Sequence, residues 1–327
     1  MPLANGAGQR LLHSTRMAAL VRVLTAGVVL AVLSAACGST GTTAPAANAV
    51  TAPSAVAPRA PSTTVAPTTT VAPTTTMPES TTTVAPVTAL SATTAVDPPT
   101  WLGTRVLEID GDGNVPPVPT PPELVDRRFR TSDLLPPPAD GFAATIRPVP
   151  GDVLARSTWH EGCPIAVDEL AYLTVSFWGF DDLPHTGELV VNARLAGDIV
   201  DVFEQLYQAR FPIEEMRVVA AWELDAPPTG DGNNTTSFVC RPTTGGTTWS
   251  QHAYGLAIDL NPFHNPYLRA GTVLPELAGA YLDREDIRPG MILEGDPAVE
   301  AFAAIGWRWG GDFRSLLDFM HFSANGR

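Results

Sequence analysis

The 327-residue chain is short of basic residues, cysteine and long apolar runs, and each shortage excludes a class of protein. It has no lysine, and its 20 arginines are outnumbered by 34 acidic residues, which gives a formal net charge of −14. Such an acidic chain is a poor binder of nucleic acid and other anionic polymers, because like charges repel. We therefore expect no nucleic-acid partner.

The three cysteines are too few for a zinc site built on cysteine, which needs four ligands with short internal spacing. Cys37 lies at a candidate cleavage site, which leaves Cys163 and Cys240. An exported protein meets an oxidising environment, so we predict that these two cysteines form a disulfide.

The marked apolar run near the N-terminus, Val23–Leu33, is too short to favour a permanent membrane span. Arginines precede the run, and the small residues Ser34-Ala-Ala separate it from Cys37. This order of regions is typical of an export signal, which we place at 1–37. Cys37 also resembles the lipidated cysteine of a bacterial lipobox, although Ser34 replaces the usual aliphatic residue. Signal cleavage without a lipid is the alternative.

The composition then changes twice along the chain. Residues 38–98 are almost wholly Thr, Ala, Pro, Val and Ser, so they cannot bury a core and their prolines favour extended conformations. We predict a disordered stalk at 38–98 and an irregular wrapping segment at 99–141. Residues 142–327 have a globular composition and are numerous enough for one core, so we predict a single domain there.

Hydrophobic periodicity in this domain predicts both strands and helices. Alternation of apolar and polar residues, or a short apolar run, predicts strands at Leu170–Trp178, Glu188–Val191, Arg217–Leu224 and Leu256–Leu260. Helical spacing predicts helices from Leu195 to Tyr207 and at Ala298–Ile305. Because these elements do not alternate in a βαβ rhythm, we predict an α+β fold with a small antiparallel sheet flanked by helices.

Two histidines and an aspartate form a candidate metal site in a chain with only six histidines. His252 and Asp259 are separated by Gly255, whose turn can bring both to one ion, and His321 lies near the C-terminus. Such a set is what a catalytic zinc takes from a protein when one position stays open for water. Asp318 lies three residues before His321, where a general base for that water could stand. The grouping predicts a zinc-dependent hydrolase; a turn cap is the alternative role for Asp318.

Three motifs carry a family resemblance, namely Ser250-x-His252-x-x-Gly255-x-Ala257-x-Asp259, Trp307-Arg-Trp309-Gly-Gly-Asp312-Phe and Asp318-x-x-His321. Together they resemble the VanY-type zinc D-Ala-D-Ala carboxypeptidases, a branch of the lysostaphin/DD-peptidase/hedgehog-like peptidases, over roughly residues 142–322. The resemblance implies that fold for the domain. It also implies Zn²⁺ as the cofactor.

The same resemblance assigns roles to individual residues. It implies His252, Asp259 and His321 as zinc ligands and Asp318 as the catalytic acid and base. It implies Arg241 as the residue that steadies the substrate carbonyl, although the preceding Phe-Val-Cys departs from the family's commoner Gly-Tyr-Arg pattern.

The implied function is hydrolysis of peptide bonds in peptidoglycan stem peptides outside the cytoplasm. The sequence leaves open whether the enzyme is a carboxypeptidase or an endopeptidase cutting within the stem. A non-catalytic, zinc-containing wall-binding module is the alternative from another class, and the presence of Asp318 favours the enzyme. We expect a monomer that meets the membrane only through a lipid on Cys37.

Further candidates for the substrate cleft have weaker support. Ser250, in the first motif, is expected near the substrate. His185 is interpreted either as a cleft residue or as a hydrogen-bonded structural histidine, and Trp309 either as the floor of the site or as core packing. His264 lies close in sequence to Asp259 and is a competing ligand, although its proline-flanked loop favours a cleft wall or turn. Glu188 is the first alternative to Asp318 as the base.

Overall fold

The computed structural model describes residues 95–111 and 115–326, which lie within one compact unit, Thr83–Arg327. The predictions for the export signal, for Cys37 and for nearly all of the stalk lie outside the described residues. No helix in the described ranges has the length and apolarity needed to cross a membrane.

The described residues form an α+β fold, as predicted. Its α-helices are α1 (Pro122–Val125), α2 (Gly151–Arg156), α3 (Ala196–Gln208) and α4 (Pro297–Ala304). Its strands are β1 (Ala144–Pro148), β2 (Leu170–Trp178), β3 (Pro184–Asn192), β4 (Glu215–Met216), β5 (Asn234–Thr235), β6 (Ala257–Asp259), β7 (Tyr267–Arg269), β8 (Thr272–Leu274), β9 (Arg308–Trp309), β10 (Leu317–Asp318) and β11 (His321–Ser323). Short 3₁₀ helices lie at Val167–Glu169, Ala193–Leu195, Ala221–Leu224, Gln251–Tyr254, Ala278–Leu282 and Gly310–Asp312.

The largest sheet is antiparallel with strand order β1-β2-β3. Helix α3 packs on β2, because its apolar residues recur every three or four positions and form one buried face. The main core lies between this sheet, α3 and α4. The strands predicted at Leu170–Trp178 and Glu188–Val191, and both predicted helices, are confirmed with small differences at their ends.

Two smaller antiparallel sheets position the candidate site. One has the order β6-β11-β9, and its register places His321 opposite Asp259. The other has the order β10-β7-β8 and places Asp318 opposite Tyr267. Asp259, Asp318 and His321 are therefore each held on a paired strand rather than on a free loop.

The strand predicted at Arg217–Leu224 is wrong. The segment instead ends in a 3₁₀ helix at Ala221–Leu224, after the two-residue strand β4. Arg217 is bonded to Glu215 on one side and to Glu223 on the other, and the Glu223 carboxylate also accepts from the backbone N–H of Ala220. These local hydrogen bonds favour a turn, which the alternation of apolar residues did not reveal.

The described part of the segment predicted to wrap irregularly, 99–111 and 115–141, is largely without regular structure and packs closely on the domain. Leu107, Leu124 and Phe129 are buried against Phe263 and Tyr281 in a second core cluster. A buried ion pair joins the same segment to the domain, because Arg127 binds both carboxylate oxygens of Glu214 at 2.7 and 2.9 Å.

Candidate metal centre

His252 lies in the 3₁₀ helix Gln251–Tyr254, which is capped at both ends. The hydroxyl of Ser250 accepts from the backbone N–H of His252 at 3.3 Å, and Gly255 ends the helix in the left-handed region with φ of 64°. Glycine is required there, because a Cβ would lie 2.5 Å from the backbone nitrogen of Asn192. The motif spacing is therefore explained by a cap, a tight turn and a return into β6.

The ring of His252 is oriented by the carbonyl oxygen of Ser237, which lies 2.6 Å from Nδ1. A hydrogen bond from Nδ1–H to this carbonyl leaves Nε2 free to act as a ligand, the arrangement usual for metal-binding histidines. Nε2 lies 3.2 Å from Oδ2 of Asp259. His252 is thus buried, and its Nε2 faces the carboxylate of Asp259.

Asp259 and His321 face each other across the β6–β11 pair. Nδ1 of His321 lies 3.0 Å from Oδ1 of Asp259, and the rings of His252 and His321 have centroids 5.2 Å apart. Burial by itself raises the pKa of Asp259, but the adjacent His252 and His321 bring this pKa well below its usual range. The aspartate is therefore an anion, as a metal ligand must be.

The ligand atoms of His252, Asp259 and His321 all lie within 4.8 Å of one another. Two imidazole nitrogens and one carboxylate oxygen at this separation fit the donor set of a catalytic zinc with a fourth position open. The geometry therefore defines a candidate mononuclear metal centre made of the three residues that the sequence predicted.

Asp318 stands beside this centre on β10. Its Oδ1 is buried and has no hydrogen-bond partner, so this oxygen serves no cap. Burial, followed by the negative charge of Asp259, raises the pKa of Asp318 to about 7, while His321 and Arg241 act in the opposite direction. A carboxyl group whose pKa lies near neutrality can both accept and donate a proton at physiological pH.

Arg241 follows Cys240, and the predicted disulfide between Cys163 and Cys240 is present. The Arg241 guanidinium lies close enough to Asp318 to lower its pKa and donates from Nη1 to the carbonyl oxygen of Pro242 at 3.2 Å. His160 approaches the bridge, with Nε2 3.6 Å from Sγ of Cys240. Because the cysteines are oxidised, they offer no thiolate for a second metal site.

The three ligands, Asp318 and Arg241 line one cavity of about 600 Å³. Its rim includes Trp249 and the glycine-rich turn around Gly245 and Gly246. Further lining residues are Thr243, Thr244, Thr248, Ser250, Gln251, Tyr267, Arg269, Leu274, Phe313, Leu316, Met320 and Asn325. This volume suits a short peptide segment or a similarly sized molecule.

Two of the predicted cleft residues lie elsewhere. His185 is buried between Asp133 and Asp181, whose carboxylates lie 2.7 and 3.0 Å from its ring nitrogens, and it does not line the cavity. The structural interpretation of His185 therefore replaces the substrate-binding one. Trp309 is also outside the cavity lining: it packs in the main core and donates from Nε1 to the carbonyl oxygen of Phe319. Through this hydrogen bond Trp309 holds the chain between Asp318 and His321.

His264, the competing ligand, and Glu188, the competing base, do not line the cavity either. His264 is fully buried, with Nε2 2.9 Å from the carbonyl oxygen of Arg127, and burial lowers its pKa to about 4. Glu188 accepts hydrogen bonds from Arg156 and Tyr172. Burial by itself raises its pKa, but those bonds bring the pKa of Glu188 below its usual range. A saturated carboxylate of low pKa is poorly suited to act as a general base.

Sequence reasoning did not find the contribution of the β7–β8 hairpin to the cavity. Tyr267, Arg269 and Leu274 line it, although no motif marks them. Strand β7 reaches the cavity because it pairs with the short strand that carries Asp318. Strands of two or three residues have no readable periodicity, so the sequence did not reveal this pairing.

The arrangement is a candidate mononuclear metal centre with a buried carboxyl group, that of Asp318, beside it. A peptidase family model described as D-alanyl-D-alanine carboxypeptidase matches residues 244–324, which include the three ligands and Asp318. The match confirms the predicted resemblance over this segment and supports a peptidase. It begins after Arg241 and Cys240. No match was found among curated proteins or among solved structures.

Proposed function

We propose that this protein is a zinc metallopeptidase that removes the C-terminal residue from peptidoglycan stem peptides, in the manner of a D-Ala-D-Ala carboxypeptidase. The observation that carries the proposal is the buried, unbonded carboxylate oxygen of Asp318 beside the three-ligand centre. A stable fold gains nothing from an unsatisfied buried carboxylate, whereas a hydrolase uses one.

His252, Asp259 and His321 would hold the ion, which fits their donor types and separation. A zinc ion bound there would lower the pKa of a water molecule and polarise a peptide carbonyl. Asp318 accepts the proton released as water adds to the carbonyl carbon. The protonated carboxyl group then donates that proton to the departing amine, so that Asp318 is regenerated as a carboxylate.

Arg241 is proposed to donate hydrogen bonds to the carbonyl oxygen as negative charge develops on it. Its proximity to Asp318 and its place in the cavity lining support this role. The disulfide at Cys240 fixes the backbone immediately before Arg241. The guanidinium is thereby held close to its working position before substrate binds, which reduces the ordering cost of catalysis.

A binding module and an endopeptidase would each require something different of the site. A non-catalytic wall-binding module needs the ligands but not Asp318, whose raised pKa and free oxygen favour the enzyme. An endopeptidase needs a cleft that continues past the scissile bond on both sides. The carboxypeptidase instead needs a group that binds a terminal carboxylate, and Arg269 in the cavity lining is a candidate for it.

We further propose that the enzyme acts outside the cytoplasm on the cell wall, as a monomer. The family match supports a wall substrate. Export by residues 1–37, a lipid on Cys37 and a stalk at 38–98 are proposals that rest on sequence composition. A lipoprotein cysteine needs more than one acyl chain for stable anchoring, because a single chain binds a bilayer only marginally.

The test is mass spectrometry of purified muropeptides after incubation with the full chain. We expect about one zinc per chain by elemental analysis, as for a mononuclear site, and loss of a single terminal residue from pentapeptide stems. Asp318→Asn should keep the zinc and lose turnover by about 100-fold or more. Asp201→Asn is the matched control, since Asp201 is an exposed residue of α3 and does not line the cavity. Products cut within the stem would favour the endopeptidase, and zinc without any product would favour the binding module.

A further inference from the structure

We propose that Arg269 binds the free C-terminal carboxylate of the substrate and thereby makes the enzyme a carboxypeptidase. The inference rests on the proposed peptidase function and adds to it the residue that selects substrates with an unblocked C-terminus. Arg269 lies outside the motifs that carry the family resemblance, on the β7–β8 hairpin.

Two arginines, Arg241 and Arg269, line the described cavity, and they belong to different segments of its wall. Arg241 belongs to the segment before the 3₁₀ helix of His252, and its charge acts directly on Asp318. The proposed function assigns it to the scissile carbonyl. The second guanidinium, on a separate hairpin, is available for a second anionic group of the substrate.

The strand register places Arg269 at a suitable offset from the reacting atoms. Asp318 pairs with Tyr267, and Arg269 lies two residues farther along β7. Residues two apart on a strand share one face, so Tyr267 and Arg269 project to the same side, about 7 Å apart. One residue of an extended peptide spans about 3.5 Å. The flexible guanidinium can therefore reach back to a carboxylate one residue beyond the scissile bond.

Arg269 is also uncommitted within the described part of the chain. Most described arginines form ion pairs or stack on aromatic rings, as Arg127, Arg217 and Arg284 do. Arg269 is exposed at the cavity and has no described ion pair, side-chain hydrogen bond or ring contact. Its planar fork of N–H donors matches a carboxylate in a two-point hydrogen bond.

The overall charge of the chain makes a local cation more significant. At a net charge of −14, the protein repels a substrate that ends in a carboxylate. A guanidinium at the cavity wall offsets this repulsion where the terminal carboxylate must sit. A peptide with more than one residue after the scissile bond has no carboxylate at this position, so it cannot form the ion pair with Arg269.

The experiment compares two peptides that differ only at the C-terminus, one a free acid and the other an amide. Both are given to the zinc-loaded full chain, and kcat and KM are measured. We expect the wild type to prefer the acid on the order of 10- to 100-fold in kcat/KM, mainly through KM, as for a hydrogen bond between charged groups. Equal turnover of both peptides would overturn the inference while leaving the peptidase intact.

Three variants separate Arg269 from the general field of the protein. Arg269→Gln should lose the preference for the acid without changing turnover of the amide. Arg269→Lys should keep part of it, since lysine retains the charge but not the fork. Arg308→Gln, the control, removes an equal charge from an exposed residue outside the cavity and should match the wild type. If Arg269→Gln keeps the preference for the acid over the amide, another group binds the carboxylate and the inference is wrong.

A binding measurement keeps the inference testable if no peptide is cleaved. Calorimetry on the Asp318→Asn background, with and without Arg269→Gln, compares the affinity for the acid and for the amide. Absence of turnover in the wild type would refute the proposed function alone. Tighter binding of the acid that disappears with Arg269→Gln would support the carboxylate site, and equal binding of acid and amide would refute it.

Discussion

At the scale of single residues, burial and a like-charged neighbour act on Asp318 in the same direction. Burial and the charge of Asp259 raise its pKa to about 7, from an ordinary value of 3.8. In the metal-free protein, the folded state therefore binds this proton more tightly than the unfolded state does. Between these two pKa values, ionisation of Asp318 opposes folding, so stability contributed by the neutral carboxyl is lost as pH rises.

We predict that Asp318→Asn stabilises the metal-free protein, and that the gain depends on pH. The asparagine does not titrate, so the difference from the wild type should be small near pH 4, grow towards pH 7 and then level off at about 1–3 kcal/mol. Urea unfolding of chelator-treated protein at about pH 4, near the lower end of that range, and at about pH 8, above its upper end, measures it. Asp201→Asn, on the exposed surface of α3 and outside the cavity, should show no such trend. A gain that is the same at both pH values would contradict the assigned burial cost.

Residues whose role depends on sequence spacing were predictable, and residues whose role depends on packing were not. The proximity of His252 and Asp259 could be predicted because a cap, a glycine turn and a strand fix their separation locally. His185 and Trp309 were misplaced because a single histidine or tryptophan carries no spacing information. Arg269 was missed for the same reason, since only strand pairing brings it to the cavity.

At the scale of secondary structure elements, the 3₁₀ helix Gly310–Asp312 positions Asp318 by close approach. A Cβ on Gly310 would lie 2.4 Å from the carbonyl oxygen of Asp318 and 2.9 Å from its Cβ. The backbone of Asp318 cannot relieve such contacts unless strand β10 moves. The glycine is thus required by space, and the Trp-Gly-Gly-Asp segment fixes the position of the strand that carries Asp318.

We predict that Gly310→Ala lowers kcat by about 10-fold or more while zinc content stays near one per chain, because a displacement of about 1 Å in a catalytic group is costly. The ligands lie on β6, β11 and the helix of His252, whereas the three atoms nearest to the added methyl group all belong to Asp318. Gly197→Ala in α3 is the matched control, since nothing lies within 4 Å of its added methyl group. Wild-type kcat in Gly310→Ala would show that β10 tolerates the shift.

The disulfide constrains a different element, the segment that carries Arg241. It closes a loop with a sequence separation of 77 residues. For such a loop, chain entropy predicts a stabilisation of about 4 kcal/mol. The sequence predicted this bridge by elimination among the cysteines, whereas the turn at Ala221–Leu224 escaped prediction because its ion pairs override the apolar pattern.

We predict that replacing both bridge residues, Cys163→Ser with Cys240→Ser, lowers the melting temperature and weakens kcat more than zinc binding. The melting temperature falls because the unfolded chain gains conformational entropy without the bridge. The value of kcat falls because the backbone at Arg241 is less constrained. Thermal unfolding, kcat and zinc content are measured on the same preparation. An unchanged kcat in a folded variant would separate the bridge from catalysis and leave it a purely stabilising role.

At the scale of the whole molecule, the described residues before 142, namely 95–111 and 115–141, are bound to the rest of the domain by charge as well as by apolar packing. Arg127 is 2% exposed, binds Glu214 with two hydrogen bonds and donates to the carbonyl oxygen of Asp231. Leu124 and Phe129 fill the cluster around Tyr281. Composition alone predicted irregular structure here, but it could not predict burial, because an irregular segment has no periodicity to mark its buried face.

We predict that a chain beginning at Phe142 fails to fold stably, whereas one beginning at Ala95 keeps the fold and the zinc site. The shorter chain leaves Glu214 buried without its partner and exposes the apolar surface beneath Leu124 and Phe129. Arg127→Met isolates the first effect within the full chain and should cost about 3–5 kcal/mol, since breaking a buried ion pair strands the remaining charge. Circular dichroism and urea unfolding of the three proteins decide the matter. A cooperative transition of wild-type midpoint in the Phe142 chain would mean that residues 95–141 add nothing to the stability of the domain.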